Sequence, residues 1–325
     1  MKFVRRLWPY AAIALCIAAI SVFWLRYDDI LDWMWLHGYE PNATVQRLAD
    51  ATAMTPYAKR LFYVNKPSVE DKEAFNHHCN DPSAEVAVLG CYTGDRRGIY
   101  IYNVADSRLN GIHEVTAAHE MLHQAYDRLH GNERKRINDL LQTYYDQQAP
   151  KALKDEIEPY KKTEPNELHN EMHSIFGTDA QTLPDELEAY YAKYFTNRQR
   201  IVQLRKQYQA EFDNRRAQIV ALNKQLADLK VEIENKKQWL ESREKTMQDL
   251  REQMDRNLNG NNIAAYNAAV PGYNTMVVSY RSEISKTNAL INQYNNLLKQ
   301  LNDISVEERE LQRALDSNVN AAPSE

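Results

Sequence analysis

Glycine and proline are scarce in this chain, with 9 glycines and 11 prolines among 325 residues. Their scarcity excludes a collagen-like or low-complexity chain, since both need a large share of these residues. A strong excess of one charge is also missing, because the formal net charge is only −5. No basic stripe with interleaved aromatic residues occurs, so we expect no nucleic-acid partner. The length allows one globular domain with an appendage, or two domains.

Cysteine is limited to three residues. Cys16 lies in an apolar run near the N-terminus, out of reach of the others. Cys79 and Cys91 lie close enough in sequence to close a small loop. A disulfide between Cys79 and Cys91 is predicted if this part of the chain meets an oxidising compartment. The alternative is a pair of reduced, partly buried thiols.

An apolar run covers residues 7–25 and is long enough to cross a bilayer as a helix. Basic residues precede the run and acidic residues follow it, so the positive-inside rule predicts a cytoplasmic N-terminus. A cleaved signal peptide needs small residues after the run, and these are missing. A lipoprotein needs a small residue directly before its cysteine, but Leu15 precedes Cys16. We therefore predict that residues 1–27 form a single-pass signal anchor in the cell membrane, with the following domain extracytoplasmic.

Residues 28–198 have a mixed pattern and are predicted to form a compact domain. Residues 84–89 and 98–104 have the β-branched and aromatic composition of strands. Residues 44–54 and 67–75 are predicted as helices, and helix predominates from Ile112 onward. The fold class expected from this pattern is α+β, with a small sheet and several helices.

Residues 199–325 have sustained heptads and are predicted to form an antiparallel coiled-coil hairpin. Apolar residues recur every seven positions in the first arm: Phe212, Ile219, Leu226, Ile233, Leu240, Met247 and Met254. The second arm repeats the pattern: Ile263, Val270, Val277, Ile284, Ile291 and Leu298. The glycine- and asparagine-rich residues 257–262 between the arms predict a turn. Pairing with another chain in a parallel dimer is the alternative, and the tail after Leu315 is predicted to be disordered.

The sharpest motif is His119-Glu120-Met121-Leu122-His123. On a helix, residues four apart lie on one face, so His119 and His123 can direct their imidazoles at a single Zn²⁺ ion. Glu120 lies beside them, where its carboxylate can act as a general base on water. The motif therefore predicts one catalytic zinc ion with two histidine ligands.

With this motif the chain resembles the zincin metallopeptidases, and within them the gluzincins. The resemblance covers the His119–His123 helix and residues 166–179, while the extended metzincin motif is absent. It implies hydrolysis of peptide bonds, a third zinc ligand that is a glutamate on a later helix, and an upstream strand along the cleft. Residues 98–104 are the strand that fits this last expectation.

Two glutamates in residues 166–179 compete for the role of third ligand. Glu171 lies nearer to the edge of the apolar stripe of that helix and is the preferred candidate. Glu167 is the alternative, because in the gluzincin spacing it would bind zinc while Glu171 orients a histidine. The stripe itself consists of four residues: Leu168, Met172, Ile175 and Phe176.

Sites of this type also need a group that stabilises the transition state, often a tyrosine, histidine or arginine. Tyr190, Tyr191 and Tyr194 follow the glutamate helix. Since the chain has 20 tyrosines, the sequence leaves this residue open.

Together these patterns predict a membrane-anchored, extracytoplasmic zinc metallopeptidase with Glu120 as general base and a peptide or protein as substrate. The hairpin would bind a protein partner or a second copy of the chain. Two other functions remain open. One is a coiled-coil scaffold or adhesion protein with an inactive zincin-like domain, and the other is a zinc amidase that acts on cell-wall material.

Overall fold

A computed structural model describes residues 15–17, 26–79 and 88–318 of the chain. The chain divides into two compact units. Unit 1 comprises Met1–Ala210 together with Ala314–Glu325, and unit 2 comprises Glu211–Arg313. Unit 1 is therefore built from two separate stretches of sequence, and unit 2 is inserted between them.

Unit 1 is mainly helical in its described residues. Its helices are α1 (Tyr27–Leu36), α2 (Ala43–Ala51), α3 (Pro56–Tyr63), α4 (Lys72–His78), α5 (Ile112–Asp127), α6 (Gly131–Gln147), α7 (Lys151–Thr163), α8 (Leu168–Asp179), α9 (Asp185–Tyr191) and the start of α10 (Gln199–Asn259). A 3-10 turn, Ser107–Leu109, precedes α5. Its strands are β1 (Ser68–Glu70), β2 (Gly90–Tyr92) and β3 (Ile99–Tyr102).

Side-chain caps set the starts of the short helices before the sheet. The side chain of Asn42 accepts a hydrogen bond from Val45 N–H at the start of α2. Thr55 does the same for Ala58 at the start of α3, where Pro56 occupies the first turn. Such caps satisfy backbone donors that a helix leaves unpaired, and proline costs no hydrogen bond in the first turn.

The three strands form one sheet in the order β1-β3-β2. Strand β1 pairs with β3 in parallel, and β2 pairs with β3 antiparallel. The strand predicted at residues 98–104 is confirmed as β3, which is central. The strand predicted at residues 84–89 lies mostly outside the described residues.

The helix predicted at residues 67–75 is wrong at its start, because β1 occupies Ser68–Glu70 and only α4 is helical. Lys66 has a positive φ of 45° and precedes a proline, so the chain turns sharply before β1. Asp71 then caps α4 by accepting a hydrogen bond from Ala74 N–H at 2.9 Å. Pairing of β1 with β3, a contact distant in sequence, outweighs the local helical preference.

The predicted α+β class with a transmembrane helix is corrected in two respects. First, helix dominates, and the sheet consists of three strands with at most four residues each. Second, no helix in the described parts of the chain combines the length and the apolar character that crossing a membrane requires. The predicted signal anchor and cell-membrane localisation are contradicted by this finding. Of residues 7–25, only 15–17 are among the described ones.

Helix α5 forms the centre of unit 1 and is buried along most of its length. Helix α8 packs against it at a very short distance. A Cβ atom added to Gly177 of α8 would lie 2.4 Å from Cδ1 of Leu122 in α5, so only glycine fits there. The predicted apolar stripe of α8 is buried at Met172, Ile175 and Phe176. This contact brings the motif helix and the glutamate helix together.

Unit 2 is a helical hairpin formed by most of α10 and α11 (Ile263–Leu315), as the heptads predict. Helix α10 ends at Asn259, and Asn261 has a positive φ of 60° in the turn. The side chain of Asn262 then accepts a hydrogen bond from Ala265 N–H at 3.2 Å and caps α11. The predicted turn at residues 257–262 is confirmed.

Ion pairs between the arms show that they run antiparallel. Arg215 pairs with Glu307 at 3.3 Å, and further along the first arm Lys236 pairs with Glu283. Partner numbers in α11 fall as those in α10 rise, which is the antiparallel arrangement. Three predicted heptad positions of the first arm, Leu226, Ile233 and Met254, are buried, and so are the neighbouring Leu222 and Leu229.

Candidate metal centre

Helix α5 places both histidines of the motif on one face. The ring centroids of His119 and His123 lie 4.8 Å apart, with the ring planes nearly perpendicular. His123 is buried and His119 is partly exposed. One turn of helix therefore holds two imidazoles around one point, as their spacing predicts.

Helix α8 brings Glu171 to the same point. Its Oε1 lies 3.6 Å from Nε2 of His123, and its Oε2 lies 3.8 Å from Nε2 of His119. The donor atoms of the three residues all lie within 4.8 Å of one another. His119, His123 and Glu171 thus form a group that could hold a metal ion, and we call it the triad.

Glu167, the alternative third ligand, does not belong to this group. It precedes the first residue of α8, and its carboxylate accepts a hydrogen bond from the Asn170 side-chain amide at 3.1 Å. Glu171 lies one turn further along, on the side that faces α5. Of the two candidates in the sequence, the structure brings Glu171 to the histidines.

The donor set of the triad fits a zinc ion. Zinc takes nitrogen and oxygen ligands at about 2.0–2.2 Å in a tetrahedral arrangement, which separates ligand atoms by about 3.3 Å. The separations of 3.6 and 3.8 Å between Glu171 and the two histidines are close to that value. The three donor atoms lie within 4.8 Å of one another, so one ion could contact all three.

His123 is oriented by polar groups on α8. Its Nδ1 lies 2.9 Å from Oδ1 of Asn170 and 3.3 Å from Oγ of Ser174. An amide oxygen only accepts hydrogen bonds, so Nδ1 carries a proton in this contact, and in the neutral ring Nε2 then keeps its lone pair. Asn170 is held in turn by Glu167. Supporting contacts of this kind fix the tautomer of a metal-binding histidine.

Glu120 lies against strand β2, on the same side of α5 as the triad. A Cβ added to Gly90 would lie 2.6 Å from Oε1 of Glu120 and 2.5 Å from Cγ2 of Thr116, so β2 approaches α5 this closely only because residue 90 is glycine. The backbone N–H of Tyr92 donates a hydrogen bond to the Glu120 carboxylate. The strand thereby fixes the position of this carboxylate.

Burial and neighbouring charges shift the protonation equilibria at the centre. Burial raises the pKa of Glu120 to about 7, although the Tyr92 hydrogen bond acts against this shift. Burial and the proximity of His123 lower the pKa of His119 well below its usual value. Burial also acts to lower the pKa of His123, but the carboxylates of Glu171 and Glu120 raise it. Burial raises the pKa of Glu171.

The triad and Glu120 line a cleft with a volume of about 600 Å³. Strand β2 forms one wall and helices α7 and α8 contribute the other, including Tyr160 of α7. Carboxylates besides those of the centre lie along the cleft: Asp127, Glu164 and Glu167. Among the described residues that line it, none is a lysine or an arginine. The cleft is therefore acidic.

Strand β2 lies beside this cleft at the edge of the sheet, and among the described residues no strand pairs with its side away from β3. The N–H of Tyr102 in β3 donates to the Leu89 carbonyl at 2.8 Å, so residue 89 faces β3. In an antiparallel ladder successive residues alternate, and the backbone groups of Gly90 and Tyr92 face away from β3. Sequence reasoning assigned the strand along the cleft to residues 98–104. The structure places β3 in the middle of the sheet and gives the cleft wall to β2.

A disulfide between Cys79 and Cys91 joins the end of α4 to β2. Both cysteines line the cleft, and so does the neighbouring His78. The bond therefore fixes the wall of the cleft to a second element. Cys16 is exposed, and its thiol is free.

Several residues of the site escape sequence reasoning. Tyr160 lines the cleft, and burial together with the nearby carboxylate of Glu171 raises its pKa. By contrast, Tyr190 and Tyr194 lie around His173, whose Nε2 is 2.7 Å from the Tyr190 hydroxyl. The only available signal for Tyr160 was its place on a helix directly before the glutamate helix.

Comparison with known proteins gives no match: no protein-family model, no curated protein and no solved structure corresponds to this chain.

Proposed function

We propose that this chain is a zinc-dependent peptidase whose active centre is formed by His119, His123, Glu171 and Glu120. The observation that carries the proposal is the edge position of β2 beside the triad, where no described strand pairs with its side away from β3. A metal group with a carboxylate indicates hydrolysis, and the strand edge favours a peptide as the molecule hydrolysed. The resemblance of the motif to the gluzincins agrees with this choice.

His119 and His123 would bind the zinc ion through Nε2, and Glu171 would bind it through its carboxylate. When bound, zinc supplies a Lewis acid that polarises a carbonyl group and lowers the pKa of water. The two imidazoles must be neutral to act as ligands. Burial disfavours the charged form of His119, and Asn170 holds His123 in the tautomer that leaves Nε2 free.

Strand β2 would bind an extended peptide by adding it to the sheet. The backbone groups of Gly90 and Tyr92 that face away from β3 can pair with substrate backbone. The exception is the Tyr92 N–H, which already donates a hydrogen bond to Glu120. Main-chain pairing at a sheet edge is a common mode of peptide recognition, and it depends little on side chains. It would place a scissile carbonyl between β2 and the triad.

Glu120 and Tyr160 would carry the proton transfer and the charge stabilisation. The Glu120 carboxylate takes a proton from the attacking water and passes it to the leaving nitrogen, so the amine departs uncharged. The Tyr160 hydroxyl, on the opposite wall, keeps its proton because burial and the nearby Glu171 raise its pKa. It can therefore donate a hydrogen bond to the oxygen on which negative charge develops.

The test uses the purified full chain, with zinc content measured by elemental analysis and cleavage measured on a peptide library. The Glu120→Gln variant should keep its zinc and lose about 100-fold or more in kcat, since general base catalysis contributes at least that much. The Glu171→Ala variant should lose zinc. The Glu167→Ala variant, which removes the partner of Asn170 but no atom of the triad, should keep more zinc than Glu171→Ala.

Three results would contradict the proposal. Zinc retention in Glu171→Ala would show that Glu171 is not a zinc ligand. Cleavage by Glu120→Gln at the wild-type rate would show that Glu120 is not the general base. A wild-type chain that holds zinc and cleaves no peptide would favour the scaffold function instead.

A further inference from the structure

After α11 the chain returns to unit 1 and binds close to β2. The hydroxyl of Ser317 donates a hydrogen bond to the carbonyl of Val88 at 2.7 Å. The side-chain amide of Asn76 donates to the carbonyl of Ser317. Beside it, Asp316 pairs with Lys72 at 3.7 Å. Ser317 is only 3% exposed, although it lies beyond the last residue of a long helix.

The groups that this segment contacts belong to the wall of the cleft. Val88 itself lines the cleft and lies two residues before the first residue of β2. Asn76 and Lys72 belong to α4, the helix whose end is joined to β2 by the Cys79–Cys91 disulfide. Asp316 and Ser317 therefore connect the same two elements that the disulfide connects. They do so by hydrogen bonds and an ion pair instead of a covalent bond.

We propose that Ser317 is a positioning residue, and that the segment Asp316–Ser317 aligns the edge of β2 for substrate. The inference rests on the proposed function, because it takes β2 as the surface that binds peptide. The contact with β3 fixes one side of β2, and the cleft side must stay open for substrate. The disulfide holds β2 at Cys91, and the hydrogen bond from Ser317 adds a tie at Val88, where the chain enters the strand.

Loss of the hydrogen bond from Ser317 would change the alignment of β2 and leave the triad and Glu120 in place. Without the Ser317 hydroxyl, the Val88 carbonyl loses its partner, and residues 88–92 open more often from the sheet. The triad lies on α5 and α8, whereas the described hydrogen bonds of Ser317 go to Val88 and to Asn76 of α4. We therefore expect weaker substrate binding with unchanged zinc content. An increase in KM of roughly 2- to 10-fold corresponds to one hydrogen bond of ordinary strength.

The experiment compares Ser317→Ala with Ser305→Ala in the full chain. Ser305 is the matched control, since its hydroxyl donates to the Leu301 carbonyl within α11. Amide hydrogen exchange of residues 88–94 is the readout that does not depend on activity. Exchange there should accelerate in Ser317→Ala and stay at the wild-type rate in Ser305→Ala. The Ser317→Thr variant, which keeps the hydroxyl, should restore protection.

Kinetics then separate positioning from catalysis. Ser317→Ala should raise KM for peptides, with kcat changed less than about twofold. Unchanged exchange at residues 88–94 overturns the inference, whatever the enzyme cleaves. Faster exchange with an unchanged KM also overturns it, because β2 would then not need the tie for substrate. A wild-type chain without peptidase activity would instead overturn the proposed function.

Discussion

The side-chain oxygen of Asn170 lies 2.9 Å from Nδ1 of His123. This contact joins α8 to α5 at the point where both contribute to the triad. It sets the tautomer of a histidine whose other nitrogen faces Glu171. Asn170 is therefore expected to control metal affinity without touching the metal.

The Asn170→Ala variant should bind zinc about 10- to 100-fold more weakly than the wild-type chain, as is usual when such a supporting partner is removed. Asn166→Ala is a suitable control, because Asn166 is exposed in the segment before α8. Competition with a chelator of known affinity measures both values. Equal affinities in the two variants would show that the Asn170 contact does not orient His123.

Gly177 sets the distance between the two helices of the triad. A Cβ at this position would lie 2.4 Å from Cδ1 of Leu122 and 2.9 Å from Cε1 of Tyr191, so Gly177→Ala must displace these buried side chains or α8 itself. We expect a loss of about 1–3 kcal/mol in the free energy of unfolding, the usual cost of overpacking a core. Zinc affinity should fall as well, since Glu171 moves with α8.

Gly272→Ala provides the control for this prediction. Gly272 lies inside α11, and a Cβ there would meet nothing within 4 Å. Alanine has the higher helix propensity, so this variant should gain up to about 1 kcal/mol in stability. Urea unfolding monitored by circular dichroism measures both variants. A stable Gly177→Ala chain would mean that the helices can separate at no cost.

His113 gives unit 1 a dependence on pH. Its Nε2 accepts a hydrogen bond from Val104 N–H at 2.9 Å, a contact that requires the neutral ring. Burial lowers the pKa of His113 below its ordinary value of 6.5. Below pH 6.5 the unfolded chain therefore binds a proton that the folded chain does not, and stability falls as the pH decreases.

Urea unfolding of the chelator-treated chain at pH 7.5 and 5.5 measures this effect. Between these two values the wild-type chain should lose up to about 1.4 kcal/mol more in the free energy of unfolding than His113→Gln. Only the pH unit below 6.5 contributes, and one pH unit corresponds to at most that energy for a single group. His37→Gln, which changes a histidine of the exposed turn after α1, should behave like the wild type. The hypothesis fails if His113→Gln retains the full pH dependence.

The acidic cleft predicts a preference for substrates of positive charge. Glu164 lies at its rim, and Glu164→Lys should reduce kcat/KM for lysine-containing peptides about 2- to 5-fold, a range suited to exposed charges. Glu186→Lys, an exposed change in the first turn of α9, is the control. Salt at 0.5 M should remove the difference by screening. Equal rates for acidic and basic peptides would contradict the prediction.

Many of the features that sequence predicted correctly are encoded locally, within one helix, one strand or one turn. His119 and His123 face one point because they are four residues apart on α5. The heptads give the two arms, and Gly260 with its asparagine neighbours gives the turn. In each case the pattern lies within one continuous stretch of sequence, so no distant contact is needed to recognise it.

The features that sequence missed depend on contacts between distant segments. Gly90 lies against Glu120 only because β2 pairs with β3, and nothing near Gly90 in sequence shows this. Tyr160 enters the cleft through the packing of α7 on α8. The error at residues 67–75 has the same origin, since β1 forms by pairing with a strand that follows thirty residues later. The preference for Glu171 over Glu167, by contrast, agrees with the triad, because the apolar stripe of α8 indicates which of its residues lie near α5.

Because unit 2 is inserted between the two stretches of unit 1, the order of synthesis matters for the cleft. The ribosome makes the motif helix, the glutamate helix and β2 first, then the whole hairpin, and only afterwards Asp316 and Ser317. Domains generally fold as they emerge, so the triad can assemble while the tie at Val88 is still missing. A nascent chain would thus contain the triad before the tie at Val88 can form. Proteolytic cleavage before Asp316 would return a finished chain to that earlier condition.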